Sequence, residues 1–407
     1  MLQPALPPPV RETGTLAWMR RNLFSNLWNA LISVVALVVI AWGVLSLLNW
    51  MVFAANWDRV WANLRLMSIF RYPIELVWRP MASVMIVIFL FGMSAGLSKD
   101  GTGRIVRSAY NWMMGFVGFI TLVALFAFPS VRFLWIAVVV LGVAGFWLAR
   151  AVPVLAKALP WLWIASWFVS LFFLLGVGGN GNNPTGLEFV PPNLWGGIIL
   201  TFFFSVTGIV LCFPLGIALA LGRQSKLPAI KYFCIFYIEI IRGAPLITWL
   251  FTASLLLPLF LGGIRPEAII RAQVAIVLFA AAYMAENVRG GLQALPKGQR
   301  EAAHALGLTP WDSMRLIILP QALRSVIPAI VGLFIGLFKD TSLITIVGLF
   351  DLFAVALKVA TQPESKLIAG GIVRELFIFM AIFYWFFCFR MSVASRQLEQ
   401  ELGLGTR

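Results

Sequence analysis

The stretch Leu31–Phe53, LISVVALVVIAWGVLSLLNWMVF, decides the fold class of this chain. It holds no charged residue over its 23 positions, and about 20 apolar residues suffice for a helix to cross the roughly 30 Å hydrocarbon core of a bilayer. The run is too long for the apolar region of a signal peptide, and no small-residue cleavage site accompanies it. It therefore predicts a retained transmembrane helix.

The same apolar pattern recurs along the whole chain. Of its 407 residues, 61% are hydrophobic and only 12% are charged, which is about half the charged share of a soluble globular domain. This composition excludes soluble, disordered and collagen-like proteins. It predicts an all-α polytopic membrane protein with about ten transmembrane helices. The nine further apolar segments are Met81–Leu97, Trp112–Phe128, Phe133–Ala149, Trp161–Val177, Leu194–Leu221, Phe233–Leu261, Ala272–Val288, Val326–Leu349 and Leu367–Phe389.

The basic residues indicate how these helices are oriented. Lys and Arg number 31 against 16 Asp and Glu, a net charge of +15, but long apolar runs separate them, unlike the dense basic face that binds nucleic acid. With both termini on one side, 19 basic residues lie on that side, nine on the other and three inside spans. The positive-inside rule then predicts a membrane protein, surrounded by lipid, with both termini in the cytoplasm. The exterior loop Asn56–Arg79 is expected to lie as an amphipathic segment in the outer interface.

A composition change at Gly176–Asn193, which is rich in Gly, Asn and Pro, divides the chain. We predict a Pro-rich cytoplasmic tail at residues 1–22, accessory transmembrane helices at 23–178, a periplasmic loop at 179–193 and a five-helix core at 194–407. Interrupted helices and intramembrane charges follow this loop. Function is therefore to be sought in the second half.

The sequence contains only incomplete matches to the motifs of nucleotide-binding proteins and enzymes. Gly176, Gly178 and Gly181 fit G-x-G-x-x-G, but no predicted strand precedes them, and Gly96–Gly103 lacks the Lys-Ser/Thr of a phosphate loop. The chain has one histidine, His304, and its three cysteines have no paired or metal-ligand spacing. We therefore expect no catalytic residue, no metal and no cofactor in this chain.

The longest interior segment, Arg289–Arg324, is different in kind. Gly298–Leu306 has the alternating small and apolar residues of a short helix, which Gly307 can end in the left-handed conformation. Thr309 is a good N-cap for a second short helix that is expected to end at about Leu319. Two short rigid helices joined at a glycine can transmit a push to the spans on either side.

This segment resembles the cytoplasmic coupling loop of ABC importer permeases, whose pattern is E-A-A, a glycine four residues later and a hydrophobic-Pro pair about a dozen beyond. Further segments are similar to the histidine/glutamine/arginine-type permeases of polar amino acid importers, over roughly residues 194–407. The sequence around Arg20–Leu23 and Trp78-Arg79-Pro80 resembles the longer permease subunits of the general L-amino acid subgroup. The segments that carry the main resemblance are Glu301-Ala302-Ala303 with Gly307 and Leu319-Pro320, Tyr237–Leu246, Arg289–Gln299 and Lys339–Leu343.

The resemblance implies a type I ABC importer in the bacterial inner membrane. It implies that two permease subunits form the pathway, that a dimer of cytoplasmic ATPase subunits binds ATP and Mg, and that a periplasmic binding protein delivers an amino acid. In this family the coupling loop inserts into a groove of the ATPase. The residues that match it here are Glu301, Ala302, Ala303, Ala305 and Gly307.

Two groups of intramembrane charges are candidates for the substrate path or a gate. Arg242 lies roughly 16 Å along a helix from Lys231, which predicts a position near mid-bilayer beside the helix break at Pro245. Its partner is expected to be Glu239 or Glu286. The pairing is either an ion pair that only holds helices together or a gate or substrate contact.

The second group is Lys339, Asp340, Thr341 and Ser342. An amino acid zwitterion needs partners of both signs, and this group supplies both together with two small hydroxyls. The alternative is a neutralised Lys–Asp pair whose hydroxyl neighbours bond backbone carbonyls. A secondary transporter or channel is the rival class, but the two halves of the sequence show no inverted repeat.

Overall fold

A computed structural model of the chain describes residues 14–98, 102–127, 131–176, 187–368 and 371–403. Regular structure in these residues is helical, apart from isolated bridge residues such as the pair Gly197 and Asp351, which confirms the all-α prediction. The predicted Pro-rich stretch Pro4–Pro9 and residues 179–186 of the predicted periplasmic loop lie outside the described residues. The helices are α1 (Thr15–Asn22), α2 (Leu27–Phe53), α3 (Trp57–Ala62), α4 (Leu64–Ile69), α5 (Trp78–Leu97), α6 (Thr102–Ala127), α7 (Arg132–Ala151), α8 (Leu159–Leu175), α9 (Ile198–Arg223), α10 (Pro228–Arg242), α11 (Leu246–Phe251), α12 (Leu257–Phe260), α13 (Ala268–Ala294), α14 (Lys297–Ala305), α15 (Pro310–Asp312), α16 (Leu319–Ser325), α17 (Ile327–Asp340), α18 (Leu352–Ala360), α19 (Pro363–Lys366) and α20 (Val373–Glu401).

The chain divides at Val60 into two compact units. The first contains α1 and α2, and α2 is the helix that Leu31–Phe53 predicts. It begins at Asn26, whose side chain accepts a hydrogen bond of 2.8 Å from the backbone N–H of Asn29. That bond satisfies one of the free donors of the first turn. The helices from α4 onward belong to the second unit.

The ten predicted apolar segments fall on helices. Eight helices of the described residues are long and apolar enough to cross a membrane, namely α2, α5, α6, α7, α9, α13, α17 with the turn that follows it, and α20. The helix α8 is apolar but has 17 residues, and α10 with α11–α12 forms a pair bent by 106°. If that pair is one span, the count of long spans is nine.

The bend lies where the sequence predicts a helix break. Helix α10 ends at Arg242, and the next helical residue is Leu246. Pro245 has φ −60° and ψ 149°, so it is extended and begins α11 from outside. Since proline has no N–H to donate and its ring obstructs the preceding turn, the chain re-enters a helix in a new direction.

The core of the second unit is built on α9 and α13, which pack against each other extensively. Gly216 of α9 faces Met284 and the backbone of Ala281 so closely that a Cβ there would collide with Met284. Six alanines and a glycine among the buried residues of α13 allow this approach. Helices α17 and α20 pack beside this pair.

The accessory helices form a second layer in which α5 packs along α7 and α8. Four glycines permit the close approach of α5 to α7, because a Cβ at each would meet the other helix: Gly92, Gly96, Gly142 and Gly145. Helix α6 joins this layer to the core through α20, where the Trp112 and Phe386 ring centroids are 3.9 Å apart.

The second half of the loop Asn56–Arg79 packs on protein. Met67, Phe70 and Tyr72 are buried, and a Cβ on Gly197 would collide with the backbone of Met67. The loop therefore packs over the start of α9, and its position at the outer interface stays a prediction. The amphipathic pattern is present, but its apolar side faces protein because two glycines at 196 and 197 leave space for it.

Candidate functional site

The predicted coupling loop 289–324 forms a compact projection after α13. Helix α14 ends at Ala305, and Gly307 takes the left-handed conformation with φ +75°, as predicted. Its N–H donates to the carbonyl of His304 at 2.9 Å, and the next N–H, of Leu308, donates to the carbonyl of Ala303 at 3.1 Å. These two bonds satisfy carbonyls that the helix end leaves free.

The second part of the projection starts as predicted and ends later. The Thr309 hydroxyl accepts from the backbone N–H of Asp312 at 3.1 Å, so it is an N-cap. The predicted end at Leu319 is wrong, because a π-helical turn at Ser313–Ile318 leads directly into α16, which runs to Ser325. Pro320 is tolerated since it lies in the first turn of α16, where its missing N–H costs no helical hydrogen bond.

The residues predicted to contact an ATPase lie mostly on the surface of this projection. Ala303 is buried, whereas the other four are exposed: Glu301, Ala302, Ala305 and Gly307. Three large apolar side chains beside them are also exposed, Leu306 by 78%, Trp311 by 64% and Leu316 by 62%. An exposed apolar patch next to charged residues is typical of a protein interface.

Side-chain amides connect the projection to its surroundings. Gln321 of α16 donates to the Gln299 side chain at 3.4 Å, and Ala303 packs towards the π-helical turn. Arg300 donates to the Gln224 side chain at 3.4 Å. Since Gln224 directly follows α9, this bond joins α14 to the end of α9.

The central polar group of the core is Glu286 on α13. Its carboxylate lies 3.6 Å from a terminal nitrogen of Arg242 and 3.7 Å from one of Arg223. It also accepts a hydrogen bond of 2.9 Å from Nε of Arg289. Glu239 forms an ion pair of 3.0 Å with Arg223. Of the two predicted partners of Arg242, Glu286 is confirmed, whereas Glu239 pairs with Arg223. We call these five residues the Glu286 cluster.

The cluster lies towards the end of the core from which the projection continues. Arg223 is the last residue of α9, and Glu286 lies eight residues before Ala294, the end of α13, or about 12 Å along the axis. Helix α10 runs without a break from Pro228 to Arg242, and the bend comes only after Arg242. Arg242 therefore does lie roughly 16 Å along a helix from Lys231, and its mid-bilayer position stays a prediction.

The Glu286 cluster contains three guanidinium groups and two carboxylates. The Arg242 guanidinium also stands over the Tyr283 ring, with Cζ 5.3 Å from the centroid, and its side chain is 32% exposed. An ion-pair network of this kind joins α9, α10 and α13. Its surplus cation and partial exposure also suit it to accept a carboxylate.

The predicted group at residues 339–342 matches in part the alternative in which its hydroxyls bond backbone carbonyls. The Thr341 hydroxyl donates to the carbonyl of Phe338 and the Ser342 hydroxyl to that of Lys339, both at 2.9 Å. Within the described residues, Lys339 and Asp340 form no ion pair closer than 4.0 Å, and no hydrogen bond joins them to the Glu286 cluster. The two predicted groups are therefore separate.

The sequence reasoning missed Asp351, which is fully buried. Its carboxylate accepts from the backbone N–H of Ala354 at 3.0 Å, from Thr345 at 3.2 Å and from Tyr384 at 3.3 Å. It caps α18 and links it to α20. The available signal was an Asp directly before an apolar helical run, which is an N-cap pattern. Among the described residues, no three His, Cys, Asp or Glu side chains could hold a metal ion.

Fold and projection together define a polytopic all-α membrane protein with an exposed helical projection after α13. The family model for the binding-protein-dependent transport system inner membrane component matches residues 212–403. The chain is 37% identical to the glutamate/glutamine/aspartate/asparagine transport system permease protein BztC of Rhodobacter capsulatus, covering 99% of this chain and 96% of that protein. It is 35% identical to the inner membrane amino-acid ABC transporter permease protein YhdY of Escherichia coli, covering 99% and 97%.

The solved structure of an amino acid ABC transporter with histidines is 29% identical, covers 50% of this chain and 90% of its own, and has a TM-score of 0.44. The two long relatives match the chain over nearly its whole length. The chain therefore belongs to the family of amino acid ABC transporter permease proteins.

Proposed function

We propose that this permease imports polar amino acids and that its coupling loop 289–324 docks a cytoplasmic ATPase subunit. The observation that carries the docking is the exposed surface of Glu301, Leu306 and Trp311 on a projection held rigid by Gly307 and its hydrogen bonds. The projection adjoins α9 and α13, so closure of the ATPase subunits would move both helices. The energy for transport enters at this surface.

The proposal includes the remaining partners and the orientation. A second permease subunit completes the pathway, a dimer of ATPase subunits binds ATP and Mg, and a periplasmic binding protein delivers the substrate to the opposite face. The coupling loop and both termini lie in the cytoplasm, in keeping with the 19 to nine division of basic residues. The chain itself performs no catalysis, and the lack of a phosphate loop in its sequence supports that assignment.

The substrate class is supported by the relatives and by the Glu286 cluster. BztC is described as a permease for glutamate, glutamine, aspartate and asparagine. We assign the same polar class to this chain, with the surplus guanidinium of the cluster engaging the substrate carboxylate. Arg242 and Glu286 then form a gate on the cytoplasmic side. Lys339, Asp340, Thr341 and Ser342 remain candidates for a path farther along α17.

The coupling role is tested by Gly307→Val. A Cβ at Gly307 would meet no atom within 4 Å, so the change acts only on the backbone, whose φ of +75° is costly for a β-branched residue. We expect about 1–2 kcal/mol of strain in the projection and a loss of amino-acid-dependent ATP hydrolysis by the reconstituted complex. The matched control is Gly298→Ala, which is equally open but lies within α14 and should retain activity.

Two outcomes would contradict the proposal. Unchanged substrate-dependent ATP hydrolysis and uptake with both Gly307→Val and Glu301→Trp would remove the coupling role. Uptake by this chain alone in proteoliposomes, driven by an ion gradient without ATP, would make it a secondary transporter instead. Uptake that needs the ATPase, ATP and a binding protein is the expected result.

A further inference from the structure

A shallow open recess of about 550 Å³ lies between α6 and α20. It shares no residue with the coupling loop or the Glu286 cluster. Arg104, Arg107, Ser108 and Asn111 follow the spacing i, i+3, i+4 and i+7, so they share one face of α6. The complete lining is Arg104, Arg107, Ser108, Asn111, Trp112 and Arg390.

Three arginines converge on this recess, and the described residues neutralise one of them. Arg104 forms a 2.8 Å ion pair with Glu401. Arg107 donates to the backbone carbonyl of Ser98 at 2.6 Å, and the Arg390 guanidinium stands 4.7 Å from the Trp112 ring centroid. The Nε groups of Arg107 and Arg390 are buried and have no acceptor within the described residues. Because these two Nε groups are buried, the positive charge and the terminal nitrogens of the two guanidinium groups are what the recess offers to an anion.

The recess lies where two apolar helix surfaces end. Beyond it, α6 exposes Phe119 by 59% and Leu122 by 55%, and α20 exposes Trp385 by 62%. Arg390 lies 17 residues after Val373, the start of α20, or about 25 Å along the axis. With a hydrocarbon core of roughly 30 Å, this depth is that of the headgroup boundary.

We propose that this recess binds the phosphate of an anionic glycerophospholipid. The guanidinium forks of Arg107 and Arg390 donate to the phosphate oxygens, and the first turns of α6 add the positive end of a long helix dipole. The acyl chains then lie on the exposed surface around Phe119. Basic pockets between transmembrane helices are suited to anionic headgroups in this way. The lipid bridges the accessory layer and the core, because α6 and α20 belong to different layers.

The test measures lipid retained by the intact permease complex. The complex is purified, delipidated and placed in nanodiscs of phosphatidylcholine containing spin-labelled phosphatidylglycerol or spin-labelled phosphatidylcholine, and the motionally restricted fraction is measured. We expect the complex to retain phosphatidylglycerol over phosphatidylcholine. The double variant Arg107→Gln/Arg390→Gln should weaken this preference by more than about tenfold, since each basic residue near an anionic surface contributes about fivefold.

Two matched variants separate the site from general charge and from misfolding. Arg65→Gln removes one exposed arginine away from the recess and should leave the preference unchanged. Arg107→Lys/Arg390→Lys keeps the charge and should retain most of it. Equal retention of both lipids by the unchanged complex would overturn the proposal. The proposal would also be overturned if millimolar inorganic phosphate displaced phosphatidylglycerol whatever the lipid composition of the nanodisc. The recess would then bind free phosphate.

Discussion

The side chain of Glu286 joins three helices of the core through ion pairs. It receives Arg223 from α9, Arg242 from α10 and Arg289 from its own helix. Its side chain is only 23% exposed, so the arginines around it are poorly compensated by water if its charge is removed. Glu239 has the same charge, but its side chain is 56% exposed and, among the described residues, its ion pair is with Arg223.

This difference gives a paired prediction. Glu286→Gln should lower the stability of the complex by about 1–3 kcal/mol, because three guanidinium groups lose their shared carboxylate. Glu239→Gln should change it by less than about 1 kcal/mol, as expected for an exposed pair. Thermal unfolding of the purified complex measures both. Equal shifts for the two variants would show that Glu286 is not the centre of the cluster.

Asp351 allows a second comparison, between charge and capping. Asp351→Ala should destabilise the protein by about 2–4 kcal/mol, because it removes the cap of α18 and leaves the hydroxyls of Thr345 and Tyr384 without their acceptor. Asn is also a good N-cap and accepts hydrogen bonds through its oxygen, so Asp351→Asn should lose much less. Thermal unfolding distinguishes them. A loss as large with Asn as with Ala would mean that the negative charge is required.

These residues show what the sequence could reveal. Local signals were sufficient for Gly307 and Thr309, whose roles depend on backbone conformation within a few residues. The pairing of Arg242 with Glu286 was one of two alternatives, and only the packing of α10 on α13 chose between them. The burial of Asp351 depends on Thr345 and on Tyr384, a residue 33 positions away, and no local pattern reports such a contact.

At the scale of helices, close packing within the accessory layer depends on glycines. A Cβ at Gly145 of α7 would collide with the carbonyl oxygen of Phe89 on α5, whereas a Cβ at Gly118 of α6 would meet no atom within 4 Å. Gly145→Ala should therefore destabilise the protein by about 1–3 kcal/mol or more through overpacking. Gly118→Ala should be neutral or stabilising by up to about 1 kcal/mol. Thermal unfolding tests the pair, and a neutral Gly145→Ala would contradict the close approach of α5 and α7.

The helix boundaries were predicted best where the apolar run was long and uninterrupted. The run Leu31–Phe53 lies within α2, which starts four residues earlier at an Asn cap. The run Phe233–Leu261 predicted a break at Pro245, but the 106° turn there depends on how α10 and α11 pack against α13. At Pro320 the sequence wrongly indicated the end of a helix. A proline that follows one helix cannot be distinguished by sequence from a proline in the first turn of the next helix.

At the scale of the whole molecule, the bent pair α10–α12 decides the topology. If it crosses the membrane, the loop before α10 and the loop after α12 lie on opposite faces. If it re-enters, they lie on the same face. Helix α13 follows the loop after α12 and is long enough to span the membrane. The coupling loop after α13 therefore lies on the opposite face from the loop after α12, whether or not the bent pair crosses. The proposed cytoplasmic coupling loop therefore places Ile264, in the loop after α12, in the periplasm.

Single cysteines test this directly, in a variant whose Cys212, Cys234 and Cys388 are replaced by alanine. Ile264 is 68% exposed and Lys226, before α10, is also exposed. A membrane-impermeant maleimide should label Ile264→Cys in intact cells, and Lys226→Cys only after the inner membrane is permeabilised, because a crossing pair separates the two loops. Labelling of both in intact cells would make the pair re-entrant, and labelling of Lys226→Cys alone would invert the proposed orientation. Since a re-entrant pair would also place Arg223 at the periplasmic face while Glu286 approaches the cytoplasmic end of α13, the 3.7 Å contact between them favours crossing.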